Sequence, residues 1–451
     1  MAVQVTVGID IGTTSVKALA VDDDGRVVAS SRVPHQLLAS HAGELAHDAD
    51  AAWRVGVLDA LAALPRTTAT GEALDIVGVD VAAMVPSLCA VDEQGRPISP
   101  GLLYGDDRGG GAVDPATGTS EELVGFLAWL VERYPEAAGY WPAQAVANAA
   151  LGGVGAIDTM VAYLAMPLYD LHGWDAAVAA KAGLDDVGRL PVIVGGVKPV
   201  GTVASAGGAP LGGGTIDALG EQLVAGATEP GDVLVILGST LIVWAVVADW
   251  QEAPGLWAVP HLEAGRSLIG GPSNAGGLFL NWVSRLVGAD LWADRPLPAT
   301  PDRVPVWLPH LRGERVPFHD PDRRASLHDL DIGMGPDAIV RAAHEASAFV
   351  VRHQLDLAGV DASRIVATGG GARDTAWVQA LADGTGLPVD VVAVPEGGAR
   401  GAAWLARQTA GLERPGAGAG RWVHTERRVE PADDWVAATR SRYERYRELA
   451  G

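Results

Sequence analysis

Only one cysteine, Cys89, occurs in this chain of 451 residues, so no internal disulfide can form, and no Cys/His cluster has the spacing of a zinc site. Positive charge is scarce as well. Lys and Arg number 33 against 55 Asp and Glu, a formal charge of −22 that repels phosphodiester backbones and anionic lipid. Nucleic acid and membrane surfaces are therefore excluded as partners. Long apolar runs are also missing. The longest, Val233 to Val247, is too short to span a bilayer and is broken by Gly238-Ser239-Thr240, so it reads as two buried strands around a turn. The N-terminal apolar stretch is interrupted by Asp10 and has no basic flank. No signal peptide is expected, and a reducing cytoplasm is the expected compartment.

Apolar residues are plentiful, at 48%, and the length exceeds what one core usually supports, so two domains of roughly 200 residues each are expected. The first opens with strand, turn and strand: Val5 to Ile11, a turn at Gly12, then Ala18 to Val21. A third strand lies near Val27 to Val33. A helix starting at Asp48 or Asp50 continues through Trp53, Val57 and Leu61, and Ile76 to Val81 is a buried strand. Residues 120–190 are mostly helical in pattern, with Leu123, Leu127 and Leu130 on one face. Gly212-Gly-Gly-Thr-Ile-Asp217 leads into another helix. After Thr228-Glu-Pro-Gly231 the opening pattern repeats, with strand Val233 to Leu237, turn Gly238-Ser239-Thr240 and strand Leu241 to Val247. Two strand-turn-strand units imply two similar halves facing one ligand, with the seam at 228/229. Helices at Pro336 to Leu357, Thr375 to Thr385 and Gly398 to Thr409 and strands at Arg364 to Thr368 and Val389 to Val394 complete the second half. Gly416 to Gly420 reads as a flexible linker, and the basic last helix, from about Ala432, as a solvated face.

The first turn, Asp10-Ile-Gly-Thr-Thr-Ser-Val-Lys17, has the parts of a phosphate and metal site. A glycine lets backbone approach an anion, amides and hydroxyls point into the turn, Lys17 supplies charge, and Asp10 can hold magnesium or its water. The segment returns as a strand, whereas a Walker-type loop runs into a helix. With turns at Gly238 and Gly369-Gly-Gly371 and the carboxylate Asp217, a mechanism can be assembled. Two turns hold phosphates, one holds the nucleoside, and the carboxylate takes the proton from an attacking hydroxyl. Taken alone, Asp217 reads equally as a helix N-cap, and the two roles are compatible at a helix N-terminus that favours bound phosphate.

The order of these motifs resembles that of the FGGY family of carbohydrate kinases, in the actin-like ATPase superfamily, and within it the xylulokinase branch. The resemblance spans residues 5 to 410, and Tyr443-Glu-Arg-Tyr446 is similar to the family's last helix. It implies two ribonuclease-H-like α/β domains, 1–228 and 229–451, each with a five-stranded mixed sheet flanked by helices and with the active site in the cleft between them. It implies ATP and Mg2+ as cofactors. Thr13, Thr14 and Lys17 beside Gly12 would be phosphate contacts, with Gly238, Ser239, Thr240, Gly276, Gly277, Gly370, Gly371 and Arg373 completing the nucleotide site. Asp10 would position the metal, and Asp217 would be the base. Met84, Tyr104, Asp106 and Asp217 would line the sugar site. Gly313-Glu-Arg-Val-Pro317 with Asp320 and Gly398-Ala-Arg-Gly-Ala-Ala403 follow the family's order too.

The sugar side departs from the pattern. Where xylulokinases carry Gln-Met-His-Gly this chain has Ala83-Met-Val-Pro86, and where they carry Trp-Asn-Asp-x-Arg it has Tyr104-Gly-Asp-Asp-Arg108. A site built to hydrogen-bond hydroxyls discriminates through those groups, so their loss must change which sugar is accepted. The implied activity is ATP-dependent phosphorylation of a terminal hydroxyl of a small sugar, with a ketopentose such as xylulose first. A kinase for another polyol or modified sugar, and a catalytically silent actin-like ATP-binding regulator, stand as alternatives. A sugar or polyol is the expected partner, and a homodimer is an open expectation.

Overall fold

The computed structural model describes residues 2–39, 43–110, 121–263, 265–288, 300–392 and 396–451. Its two largest sheets have seven strands each. In the first, Val3–Ile11 pairs antiparallel with Ser15–Val21 and parallel with Leu74–Ala83, so that Asp10 lies opposite Lys17 on one side and Ala82 on the other. Val27–Pro34 closes one edge and Ala209–Leu211 with Gly201–Val203 the other, while Thr215–Ile216 joins the end of Leu74–Ala83. The second sheet repeats the plan. Asp232–Leu237 is antiparallel to Leu241–Val247 and parallel to Arg364–Thr368, with Ser267–Ser273 and Val389–Val392 beyond them and Trp257–Pro260 and Thr425–Val429 at the edges. The five strands expected in each half are thus present, and edge strands extend both sheets to seven.

Central strands of both sheets are buried continuously, as strands covered on two faces must be. Trp53, Val57 and Leu61 cover one face of the first sheet from the helical segment that begins at Asp50. The other face receives helix Gly397–Thr409 from the second half, together with helix Asp217–Ala225. Glycine makes this possible. A Cβ at Gly8 would overlap the carbonyl oxygen of Ala399, and one at Gly78 would stand 2.6 Å from that of Ala406. The two helices cross at Gly220 and Gly401, where a Cβ on Gly401 would overlap the Gly220 backbone. One apolar cluster accordingly runs from Leu19 and Val21 through Leu223 to Leu234 and Trp404, joining both halves.

Several expectations need correction. Residues 120–190 contain helices Glu122–Arg133 and Ala143–Gly152, but strands Gly139–Trp141 and Ala156–Asp158 interrupt them, too short to show an alternating pattern. The segment 416–420 is packed: Gly416 N–H donates to Gln408 Oε1, Trp404 Nε1–H donates to Ala417 O, and Ala419 is fully buried. The last helix, Asp433–Ala450, is only partly solvated on its basic side. Arg442 is buried, with its guanidinium on Glu345, which also pairs with Arg341. Of the strand expected from Val389 to Val394, Val389–Val392 is observed, and Val394 lies outside the described residues. No helix among the described residues is long and apolar enough to cross a membrane.

Candidate active site

Both hairpin turns are closed by the N–H of their glycine, the first over four residues and the second over three. Gly12 N–H donates to Ser15 O at 3.1 Å, and Gly238 N–H donates to Thr240 O at 3.2 Å. Thr13 and Thr14 are exposed at the tip of the first. That turn is held from below by groups the sequence did not single out. Trp53 Nε1–H donates to His47 Nδ1 at 3.1 Å, which leaves the His47 proton on Nε2, 2.9 Å from the Thr13 carbonyl oxygen. Burial pulls the His47 pKa down to about 4, so the ring is neutral and the donor is fixed. His35 N–H donates to Thr14 O, and its ring meets His47 edge-on.

The second turn is held by the start of helix Gly277–Val287, with Gly277 N–H on Gly238 O at 2.8 Å and Leu278 N–H on Ser239 O at 3.2 Å. A Cβ on Gly276 would stand 2.6 Å from Leu241 N. Gly276 and Gly277 therefore shape the turn rather than line the cleft. The third turn divides in a similar way. Gly371 packs on Trp377, a Cβ on Gly370 would meet nothing within 4 Å, and Arg373 is exposed beside it.

Between these turns lies a cluster of carboxylates. Asp217 is the first residue of its helix, not the N-cap, which is Ile216, and its Oδ1 accepts from Ala218 N–H at 2.7 Å. Asp10 Oδ1 is buried without a hydrogen-bond partner. Burial first, then repulsion from Asp217, Glu221 and Glu396, lifts the Asp10 pKa to about 7 against the pull of Lys17. Burial also raises Asp217. Glu221, one turn along from Asp217, is lifted to about 7 by burial and by Asp217, and accepts from Thr368 Oγ1 at 3.2 Å. Lys17 reaches Glu396 across the halves at 3.7 Å. Gly398 stands against the pair of aspartates: a Cβ there would lie 3.0 Å from Asp10 Oδ1 and 3.4 Å from Asp217 Cα. Glu221 escaped the sequence reading, for which its spacing to Asp217 by one helical turn was the available signal, and Thr368 entered it only with the strand and glycine turn it adjoins, not as a partner of Glu221.

The proposed sugar contacts are placed less openly. Met84 is buried and Tyr104 is half-exposed. Asp106 is buried, with Oδ1 and Oδ2 both on the Arg108 guanidinium, at 2.7 and 2.6 Å, and Oδ2 also on Leu45 N–H. Its oxygens are spent within the protein, so it fixes Arg108, which also pairs with Glu44 at 3.2 Å.

Carboxylates gathered at the head of a cleft between glycine turns suit transfer of a phosphoryl group to a hydroxyl. The models of the N-terminal and C-terminal domains of the FGGY family of carbohydrate kinases match residues 5–118 and 233–410. A xylulose kinase of Streptomyces coelicolor is 30% identical over 462 aligned positions, covering 92% of this chain and 90% of its own. The chain belongs to the FGGY family. It is thus a carbohydrate kinase, with ATP the phosphate donor of the family. The structure of a xylulose kinase from Rhodospirillum rubrum, 26% identical, superposes on the FGGY chain with a TM-score of 0.84, over 98% of this chain and 97% of that one. A gluconokinase of Bacillus subtilis is 24% identical over 83% of this chain and 82% of its own. The actin-like pairing of two sheet-containing domains is shared with these folds.

Proposed function

We propose that this kinase transfers the γ-phosphoryl of ATP to a terminal hydroxyl of a small sugar, with a ketopentose such as xylulose first among candidates and Asp217 as the base. The carrying observation is the position of Asp217 at the head of its helix, beside Asp10 and opposite Gly398. A hydroxyl is a poor nucleophile at neutral pH, and a carboxylate whose pKa is raised by burial is the better proton acceptor. Thr13, Thr14 and Lys17 would contact phosphates from one turn, with Ser239, Thr240 and Gly370 opposite them. Residues 1–228 and 229–451 would be the two domains.

Magnesium fits the residues present. Asp10 Oδ1 is buried and unpartnered, and magnesium takes one or two carboxylates with phosphate oxygens and water. Among the described residues no group of three or more His, Cys, Asp or Glu is placed to hold a metal alone, as suits an ion that arrives with ATP. Bound there, it would neutralise charge on the phosphates. Replacing Asp217 by Asn should leave folding and ATP binding intact and lower turnover by about two orders of magnitude or more. Turnover near that of the unaltered enzyme would overturn the assignment.

The xylulose kinase relatives favour a ketopentose, but the segment Ala83 to Pro86 offers no polar side chain and Asp106 is engaged by Arg108. Each lost hydrogen bond to a hydroxyl should be worth about 0.5–1.5 kcal/mol. D-xylulose is therefore expected to be a poor substrate beside a less hydroxylated or differently configured polyol or ketose. Consumption of ATP across a panel of ketoses, aldoses and polyols decides this. If D-xylulose gives the highest kcat/KM, other residues supply those contacts.

A further inference from the structure

The segment that departs from the family pattern borders a small cavity of its own. Val85 and Pro86, which stand where xylulokinases carry histidine and glycine, form one wall, and Leu123, Ile157, Leu164 and Trp174 form others. Its volume is about 30 Å³, which is room for about one or two water-sized groups. Leu123 and Ile157 are buried, whereas Val85, Pro86, Leu164 and Trp174 are partly exposed, so the cavity is open to its surroundings rather than sealed in the core.

This cavity is apolar in its chemistry. Among the described residues that line it none is charged, and its polar side chains are engaged with backbone. Trp174 Nε1–H donates to Pro191 O at 2.8 Å, the Tyr140 hydroxyl donates to Tyr134 O at 2.9 Å, and Ser87 Oγ accepts from Ala143 N–H at 3.2 Å. A hydroxyl placed here would give up its water and find little in return, whereas a methyl group would be stabilised.

Its walls adjoin the candidate active site. Ala83, two positions before Val85, pairs with Ile216, the residue before Asp217. Gln144, in the helix that follows the wall residue Pro142, donates through Nε2 to Ala83 O and Thr215 O, both at 3.1 Å, and so ties those two segments together. Leu123 follows Glu122, whose Oε1 accepts from Gly105 N–H, next to Tyr104. The loop of Met84, the loop of Tyr104 and the strand that leads into Asp217 therefore meet around this cavity.

We propose, resting on the kinase reading above, that this cavity receives a methyl group of the substrate. The preferred acceptor is then a small ketose or polyol deoxygenated at the end remote from the phosphorylated hydroxyl, and Val85 is the residue that selects it. The γ-phosphoryl passes from ATP to the remaining terminal hydroxyl oxygen, the hydroxyl proton goes to Asp217, ADP leaves, and the methyl group takes no part. Steady-state kinetics with 1-deoxy-D-xylulose, 5-deoxy-D-xylulose and D-xylulose test this, with xylitol, D-ribulose and D-gluconate as further acceptors. Each deoxy sugar keeps one terminal hydroxyl, and the two carry the methyl at opposite ends. One of them should exceed D-xylulose in kcat/KM by about tenfold or more, since an apolar pocket rejects an added hydroxyl by up to about a hundredfold. Val85→Thr keeps the side-chain shape and adds a hydroxyl, and it should cut that preference by about threefold to tenfold. Both sugars meet the same protein, so a folding defect cancels in the ratio. D-xylulose equal to or better than both deoxy sugars, no turnover of either deoxy sugar, or a preference unmoved in Val85→Thr would each overturn the proposal. Turnover of another acceptor in those cases leaves the kinase reading standing, whereas ATP consumption with none of these acceptors overturns that reading as well.

Discussion

At the scale of single residues, the chemistry that sits on glycine turns is legible in the sequence and the chemistry made by distant contacts is not. Asp10, Gly12 and Lys17 announce themselves because strand, glycine and charge are adjacent in the chain. Glu221 does not, because its partner Thr368 is 147 positions away and its environment is set by Asp217 and by burial. Its raised pKa has a signed consequence. A carboxyl whose pKa is higher in the folded state binds its proton more tightly there, so its contribution to stability is full below the unfolded value of 4.5 and is lost as pH rises through about 7. Glu221→Gln keeps an acceptor for the Thr368 hydroxyl but cannot ionise. Relative to the unaltered protein, the ligand-free variant should therefore gain stability between pH 5 and pH 8, by on the order of 1–3 kcal/mol. Thermal melts of the two proteins across that range give the difference directly, and a gap that does not change with pH would show that Glu221 is ionised throughout. Burial of His35, His47 and His261 acts with the opposite sign, and it cancels in this comparison because both proteins share it.

Among elements, strands that are buried on both faces were the easiest to read, since runs such as Val233 to Leu237 leave no other packing solution. Segments whose role depends on a neighbour were misread. Gly416 to Gly420 has the composition of a linker yet lies against Trp404 and Gln408, and Arg442 looks solvated until Glu345 is placed beside it. The glycines of helix Gly397–Thr409 belong to the same class. In sequence they weaken a helix, and in the structure they let it settle on the first sheet and on helix Asp217–Ala225. Gly401→Ala is the sharpest test, because the new methyl would meet the Gly220 backbone, which has no flexible side chain to move aside. Alanine favours the helix itself by about 1 kcal/mol, so any loss reports the crossing alone. A net destabilisation of about 1–3 kcal/mol in urea unfolding is expected. A variant as stable as the parent would mean that the two helices can separate without penalty.

For the whole molecule, those same contacts decide how the two halves can move. The backbone-level packing at Gly8, Gly78, Gly220 and Gly401 cannot open without losing contact over the length of a helix, whereas the cleft above it is bridged by long side chains. Lys17 meets Glu396 at 3.7 Å, a partly exposed pair that can break and re-form at small cost, and Glu221 meets Thr368 through a single hydrogen bond at 3.2 Å. The buried helix pair would then be the pivot, about which the turns at Gly12 and Gly238, the proposed phosphate contacts, would swing toward each other. Closure on ATP and sugar together would exclude water from the terminal phosphate and limit wasteful hydrolysis. Small-angle scattering should accordingly show a smaller radius of gyration with a non-hydrolysable ATP analogue and an accepted sugar than with either alone or with neither. Superimposable profiles in all four states would mean that the halves are already closed without ligand, and that water is kept from the phosphate by the fixed shape of the cleft.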